Sequence, residues 1–184
     1  VRFHDIRAHD LEDWANQLDT RSRLPVVLRR LIHTTVDDLV RVEFDAYDQA
    51  QSPGWDGIVE SGTRTPWVPI GFSCWEFGTN SEINNKANKD YNNRTKKLSQ
   101  EQRKETTFVF VTPRIWKGKA AWVSSKVKED KWKDVIAHDA SDLEQWLEQS
   151  VQAQCWMAQE LGKNSLGLLS PEEAWDRWAG VTLH

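Results

Sequence analysis

The sequence predicts a mixed α/β sheet with helices on both faces. Three strand-like stretches follow one another at 39–47, 55–61 and 67–77, and a polar helical stretch then leads to the apolar run TTFVFVTPR. Such a run is typical of a strand that is covered on both sides. Consecutive strands followed by a helical crossover to a buried strand indicate a mixed sheet. At 184 residues, the chain is long enough for one domain with its own core, and we expect a single domain over 1–184.

Two amphipathic helices are expected before the first strand. In LEDWANQLDT, Leu11, Trp14 and Leu18 recur at helical spacing. In RSRLPVVLRRLIHTT, an apolar stripe includes Leu24 and Leu28, and Pro25 is expected in the first turn of that helix, where proline is tolerated.

The three expected strands differ in pattern. LVRVEFDAY alternates apolar Val40, Val42 and Phe44 with polar residues, which predicts a half-buried strand. WDGIVES and WVPIGFSCWEF are separated by SGTRTP, whose Gly and Pro suit a turn. These two stretches are therefore expected to pair as antiparallel neighbours.

The second half alternates helices and strands. Ser81 is a suitable N-cap for a helix of about five turns, residues 117–130 fit a helix, and WKDVIAHD fits a strand. One or two helices follow over 140–162, and a last helix is expected after Ser170. The predicted order is α α β β β α β α β α α α. Five tryptophans on apolar helix faces are expected to anchor the core: Trp14, Trp146, Trp156, Trp175 and Trp178.

Several classes of protein are disfavoured. No apolar stretch approaches the roughly 18 residues of a membrane span, and the start lacks a signal-peptide pattern, so a cytoplasmic location without membrane contact is expected. Cys74 and Cys155 form no cluster and are expected to be buried thiols rather than a disulfide or zinc ligands. The five histidines show no metal-binding spacing, and the absence of a P-loop leaves an enzyme acting on a small nucleotide with little support. Because the chain opens on Val, it is expected to be a fragment of a longer protein.

The charge is unevenly distributed along the chain. The net charge is −4, but 86–104 and 114–133 each carry seven basic and two acidic residues, which leaves −14 elsewhere. This segregation predicts either a basic surface that contacts nucleic acid or ordinary solvated helix faces. The candidate nucleic-acid contacts are Arg94, Lys96, Lys97, Arg114 and Lys117.

Two acidic residues stand at the meeting ends of two predicted strands. If the strands pair through the SGTRTP turn, Asp56 and Glu76 become neighbours, and neighbouring carboxylates repel unless a cation lies between them. Mg²⁺, with Mn²⁺ as a substitute, is the natural cation, since it uses few protein carboxylates together with water and phosphate. Glu60 shares the face of Asp56 by the two-residue period and is a candidate extra ligand, with Glu43 a weaker one. The alternative is that both acids face solvent at the edge of the sheet.

Four stretches together resemble the PD-(D/E)XK nuclease superfamily, and specifically the Mrr-type restriction-endonuclease domains at the N-termini of large bacterial antiphage NTPases. They are GWDGIVE, PIGFSCWEFGT, KANKDYNNRT and FVFVTPRIW, and the resemblance covers residues 25–160. It implies a restriction-endonuclease-like three-layer fold and metal-dependent DNA cleavage, with Asp56 and Glu76 as the metal-binding catalytic residues. It also implies DNA and a homo-oligomer as partners, C-terminal NTPase and sensor domains, and a role in antiphage defence in the bacterial cytoplasm.

The sequence departs from the family at one position. The family motif has a lysine two residues after the glutamate, and this chain has Gly78. In the superfamily this lysine can move to the following helix, where Lys86 and Lys89 are the candidates, and we prefer Lys86. Gly78 would leave room for such a longer side chain. Two functions remain: an active endonuclease, or a nuclease-like fold without catalysis that binds DNA or oligomerises.

Overall fold

A five-stranded mixed sheet organises the molecule. The computed structural model describes residues 6–44, 54–163 and 171–181. The strands are β1 (Leu39–Phe44), β2 (Gly57–Ser61), β3 (Gly71–Phe77), β4 (Thr107–Val111) and β5 (Asp134–His138). They lie in the order β1-β2-β3-β4-β5, with β1–β2 and β2–β3 antiparallel and β3–β4 and β4–β5 parallel. The predicted mixed sheet is therefore confirmed.

Helices cover both faces of the sheet. The helices of the described residues are α1 (Ala8–Trp14), α2 (Thr20–Thr35), α3 (Ile83–Lys97), α4 (Gln100–Glu105), α5 (Lys119–Lys128), α6 (Ala140–Leu147), α7 (Val151–Glu160) and α8 (Pro171–Val181), and the helical core residues come from α1, α2, α3, α5, α6 and α7. No helix within the described ranges is long and apolar enough to span a bilayer.

The sequence interpretation placed one helix of about five turns before β4, whereas the structure has two, α3 and α4. A capping box separates the two: the Ser99 hydroxyl accepts from the Gln102 amide, and the Gln102 side chain returns to the Ser99 backbone. This S-x-x-Q pattern is a recognised helix start and was visible in the sequence. At the start of α3, Glu82 rather than the predicted Ser81 occupies the N-cap position.

Strand β4 contributes to a hydrophobic cluster on each face of the sheet. All five of its residues are buried, as its apolar run predicts. Phe108 and Phe110 pack with α3 and α5 on one face, whereas Val109 and Val111 pack with α2 and α6 on the other. Alternate residues of one strand thus hold two helical layers on the sheet.

A β-bulge interrupts the alternation of buried and exposed residues that was expected for β1. Leu39 lies opposite Ser61, but Arg41 lies opposite Glu60, so Val40 is an extra residue on the edge strand. Val40 is 66% exposed for this reason, although the period-two pattern predicted it to be buried. Val42 is half-buried and Phe44 is buried, as expected.

Three further expectations about helices need correction. Trp14 and Trp146 are core residues and Trp156 is partly buried, but Trp175 and Trp178 on α8 are exposed, so the prediction that they anchor the core was wrong. Leu18 is fully exposed because α1 ends at Trp14. Pro25 lies inside α2 rather than in its first turn.

The remaining outcomes are simple. Cys74 is a buried free thiol, as predicted, whereas Cys155 is only half-buried, where a buried thiol was expected. Asp45 and Ser170, which the sequence interpretation used, lie outside the described residues.

Candidate functional site

Strand pairing brings Asp56 and Glu76 together. Gly57, the first residue of β2, lies opposite Trp75 of β3, and these strands are antiparallel. Asp56, one residue before β2, therefore lies beside Glu76, one residue further along β3. The Asp56 Oδ2 atom accepts a 2.8 Å hydrogen bond from the Phe77 amide, which fixes this carboxylate at the end of β3. The predicted juxtaposition of the two acids is present.

The pKa values of both carboxyl groups are raised, so that their ionised forms are disfavoured. Glu76 is 3% exposed, and burial together with the Asp56 charge raises its pKa to about 8, even though Arg94 opposes the rise. Burial also raises the pKa of Asp56, against the Phe77 amide bond and the charges of Lys86 and Arg94. A buried carboxyl group beside a half-buried one favours a shared proton or an added cation.

Arg94 of α3 is the cation nearest to Glu76. Its Nε donates to Glu76 Oε1 and its Nη2 donates to the Gly54 carbonyl. Its guanidinium also lies over the Trp55 ring, 4.7 Å from the ring centroid. The sequence predicted Arg94 as a nucleic-acid contact, but the structure places it inside the site, bound to protein groups.

Lys86 enters the site over Gly78. A Cβ atom on Gly78 would lie 2.9 Å from Lys86 Cγ and 3.0 Å from Phe110 Cζ, so only glycine leaves this space for the lysine stem. The Lys86 ammonium pairs with buried Asp90 at 2.7 Å, one helical turn further along α3. Burial raises the pKa of Asp90, and Lys86 opposes that rise.

The three charged residues of α3 that face the acidic pair are spaced four residues apart. Lys86, Asp90 and Arg94 follow one another on the helix side that faces the acidic pair. The sequence contained this signal, but it did not show that Arg94 would bind Glu76, since that contact joins a helix to a strand.

Two predicted acidic residues lie elsewhere. Glu60 lies opposite Phe72, four residues along β2 from Asp56. At roughly 3.3 Å per residue, this is about 13 Å away, so the structure does not bring Glu60 to the pair. Glu43 is exposed on β1 and forms a 2.8 Å ion pair with Arg41.

The predicted basic contacts divide into two kinds. Lys96, Lys97 and Lys117 are exposed, and so is Lys89, the second candidate for the missing motif lysine. Arg114 instead ties backbone segments together: its Nε donates to the Thr79 carbonyl at 2.6 Å and its Nη2 to Asn16 Oδ1 at 2.8 Å. Its guanidinium is therefore engaged in holding loops.

The donor set is small for a metal. Among the described residues, no group of three or more His, Cys, Asp or Glu side chains could hold an ion. Asp56 and Glu76 supply two hard oxygen ligands, since one oxygen of each makes none of the hydrogen bonds described above. Mg²⁺ often binds through one or two carboxylates with water and phosphate in its other positions. These residues fit such an ion and do not form a complete protein cage.

Comparisons with known proteins add no identification. No protein-family model matches the chain. Neither a curated protein nor a solved structure shows significant similarity to it. The resemblance to nucleases therefore depends on the sequence motifs quoted above.

Proposed function

We propose that this domain is a metal-dependent DNA endonuclease of the PD-(D/E)XK type. The observation that carries the proposal is the pair formed by buried Glu76 and half-buried Asp56 at the meeting ends of two antiparallel strands, with the Lys86 stem passing over Gly78 beside them. An acidic pair of low exposure next to a lysine has few structural uses, and the raised pKa values of both acids make it a candidate site.

The order of elements supports the same proposal. Three antiparallel strands, β1 to β3, are followed by α3, which leads to β4 parallel to β3. The resemblance implies a restriction-endonuclease-like fold with this kind of mixed sheet between helical layers.

Each residue has a distinct role. Asp56 and Glu76 hold Mg²⁺ or Mn²⁺, which when bound supplies Lewis acidity toward a phosphodiester oxygen and lowers the pKa of water. Lys86 brings positive charge to the phosphate, in place of the lysine that the family has two residues after the glutamate. Arg94 offsets the charge of Glu76 when no ion is bound. Lys89 lies one turn along from Lys86 and is the alternative phosphate-facing lysine.

The biological setting follows from the resemblance. We propose that the domain is the effector of a larger bacterial antiphage protein with C-terminal NTPase and sensor domains. One site cuts one strand, so a homo-oligomer would place two sites on a duplex.

Plasmid cleavage tests the proposal. Supercoiled DNA incubated with Mg²⁺ or Mn²⁺ should be nicked, and EDTA should stop the reaction. Asp56→Asn, Glu76→Gln and Lys86→Met should each lower the rate by at least about a hundredfold. Glu105→Gln is the matched control, since Glu105 is an exposed carboxylate on α4. Wild-type cleavage by the Glu76→Gln variant would refute the assignment. Fusion to a constitutive dimer tests whether assembly is needed.

A second function is favoured by Arg94. Because Arg94 already binds Glu76 and Gly78 stands where the family motif has its lysine, the fold could serve DNA binding or oligomerisation without catalysis. Calorimetric titration with Mn²⁺ separates the two functions. The nuclease should bind the ion through Asp56 and Glu76, whereas the inactive fold should show no binding and equal DNA affinity with Mg²⁺ or EDTA.

A further inference from the structure

A small basic cavity adjoins the acidic pair. It lies between α2, the loop after β3 and the first turns of α3, and its volume is about 220 Å³. Among the described residues that line it, three are cationic, Arg21, Lys86 and Lys89, and none carries a carboxylate. The loop residues that line it are Gly78, Thr79 and Asn80.

Within the described part of the chain, two of these cations have no ion-pair partner. Arg21 and Lys89 are exposed, and neither forms an ion pair within residues 6–44, 54–163 and 171–181. Within the same ranges, the Thr79 and Asn80 amides donate no hydrogen bond. Positive side chains and available amides on one small cavity favour an anion.

The cavity shares residues with the candidate site. Lys86 lines the cavity, and its charge lowers the pKa of Asp56, which burial raises. Phe77 also lines the cavity, while its amide binds Asp56. An anion held in the cavity would therefore lie next to the carboxylate pair, on the side of α2.

Phosphate is the anion that suits these groups. A guanidinium binds phosphate oxygens in bidentate fashion, and lysine ammonium groups act as point charges toward them. A volume of about 220 Å³ corresponds to roughly seven waters, which is enough for a phosphodiester group and too small for a folded acidic peptide.

We propose that this cavity binds a backbone phosphate of a nucleic-acid strand, next to the phosphate at Asp56 and Glu76, with Arg21 and Lys89 as binding residues. The choice of a strand over free phosphate rests on the proposed function. No sequence motif around Arg21 indicates this role, because α2 is distant in sequence from the rest of the cavity and is brought to it by the tertiary fold.

Binding to a short labelled DNA duplex in EDTA tests the proposal without cleavage. Fluorescence anisotropy over a series of salt concentrations gives the affinity and its salt dependence. Arg21→Gln and Lys89→Gln should each weaken binding roughly tenfold at low salt. Each should also reduce the slope of log K against log salt by about 1, the loss of one phosphate contact. Arg29→Gln is the matched control, since Arg29 is an exposed arginine two turns further along α2, and it should leave both quantities unchanged.

Inorganic phosphate separates the two sources of the anion. In amide NMR spectra, phosphate should shift the resonances of Gly78, Thr79 and Asn80 in the wild type and not in Arg21→Gln. Amide shifts with phosphate but unchanged DNA affinity in both variants would overturn the assignment to a strand. Unmoved amides together with an unchanged salt slope would overturn the site itself.

The proposed function fails independently of this test. If the wild type never cleaves DNA but the two variants lose a phosphate contact, the cavity is supported and the nuclease activity is refuted. If the wild type cleaves and both variants bind and cleave like it, the cavity proposal is refuted and the nuclease activity stands.

Discussion

Glu76→Gln should change how the stability of the protein depends on pH. The Glu76 pKa rises from its ordinary value of 4.5 to about 8 in the folded state, chiefly because the group is buried. Between these values the folded protein holds a proton that the unfolded chain releases, so the free energy of unfolding falls as pH rises. This rise in pKa corresponds to roughly 5 kcal/mol against the ionised form above pH 8.

Glutamine keeps the shape of the side chain and removes this titration. From about pH 5 to about pH 8, the stability of Glu76→Gln relative to the wild type should therefore rise by about 3–5 kcal/mol. Urea denaturation in EDTA at a series of pH values measures the difference, with Glu105→Gln as the control for an exposed carboxylate. Parallel pH profiles for the wild type and Glu76→Gln would show that Arg94 keeps Glu76 ionised throughout, and would refute the reasoning.

Two further substitutions test the contacts of the site. Gly78→Ala would place a Cβ atom 2.9 Å from Lys86 Cγ. We therefore expect thermal denaturation to show a stability loss of about 1–3 kcal/mol, and metal-dependent cleavage to be slower. Unchanged stability and unchanged cleavage would contradict the close approach of Lys86 to Gly78. At about pH 9, where Glu76 is ionised, Arg94→Met would leave the buried Glu76 carboxylate without its ion pair at a cost of about 3–5 kcal/mol, and adding Glu76→Gln should recover most of that stability. A double variant no more stable than Arg94→Met at that pH would show that the ion pair is not the cause.

Much of the fold could be predicted because its signals are local. The apolar run of β4 predicted a strand covered on both faces, and the turn between β2 and β3 predicted their antiparallel pairing. The bulge at Val40 could not be predicted, since it depends on how β1 registers against β2. An apolar helix stripe also does not show whether anything covers it, and for this reason Trp175 and Trp178 were wrongly expected in the core.

The candidate site divides in the same way. The proximity of Asp56 and Glu76 could be predicted from the pairing of β2 with β3. The space for the Lys86 side chain could be predicted because Gly78 has no side chain where the family motif has a lysine. The contact between Arg94 and Glu76 and the place of Arg21 in the cavity each depend on how a helix packs against the sheet. Spacing within one segment does not contain that information.

The position of the acidic pair in the sheet has a consequence for the order of folding. Strand β3 belongs both to the antiparallel set β1–β3 and to the parallel set β3–β5. The hairpin of β2 and β3 brings Asp56 beside Glu76 through local contacts, which form early, whereas Arg94 arrives only when α3 docks on the sheet. An intermediate that contains the hairpin alone would hold two neighbouring acids without their arginine. We expect low pH, which discharges both acids, to stabilise such an intermediate and to speed the first folding phase.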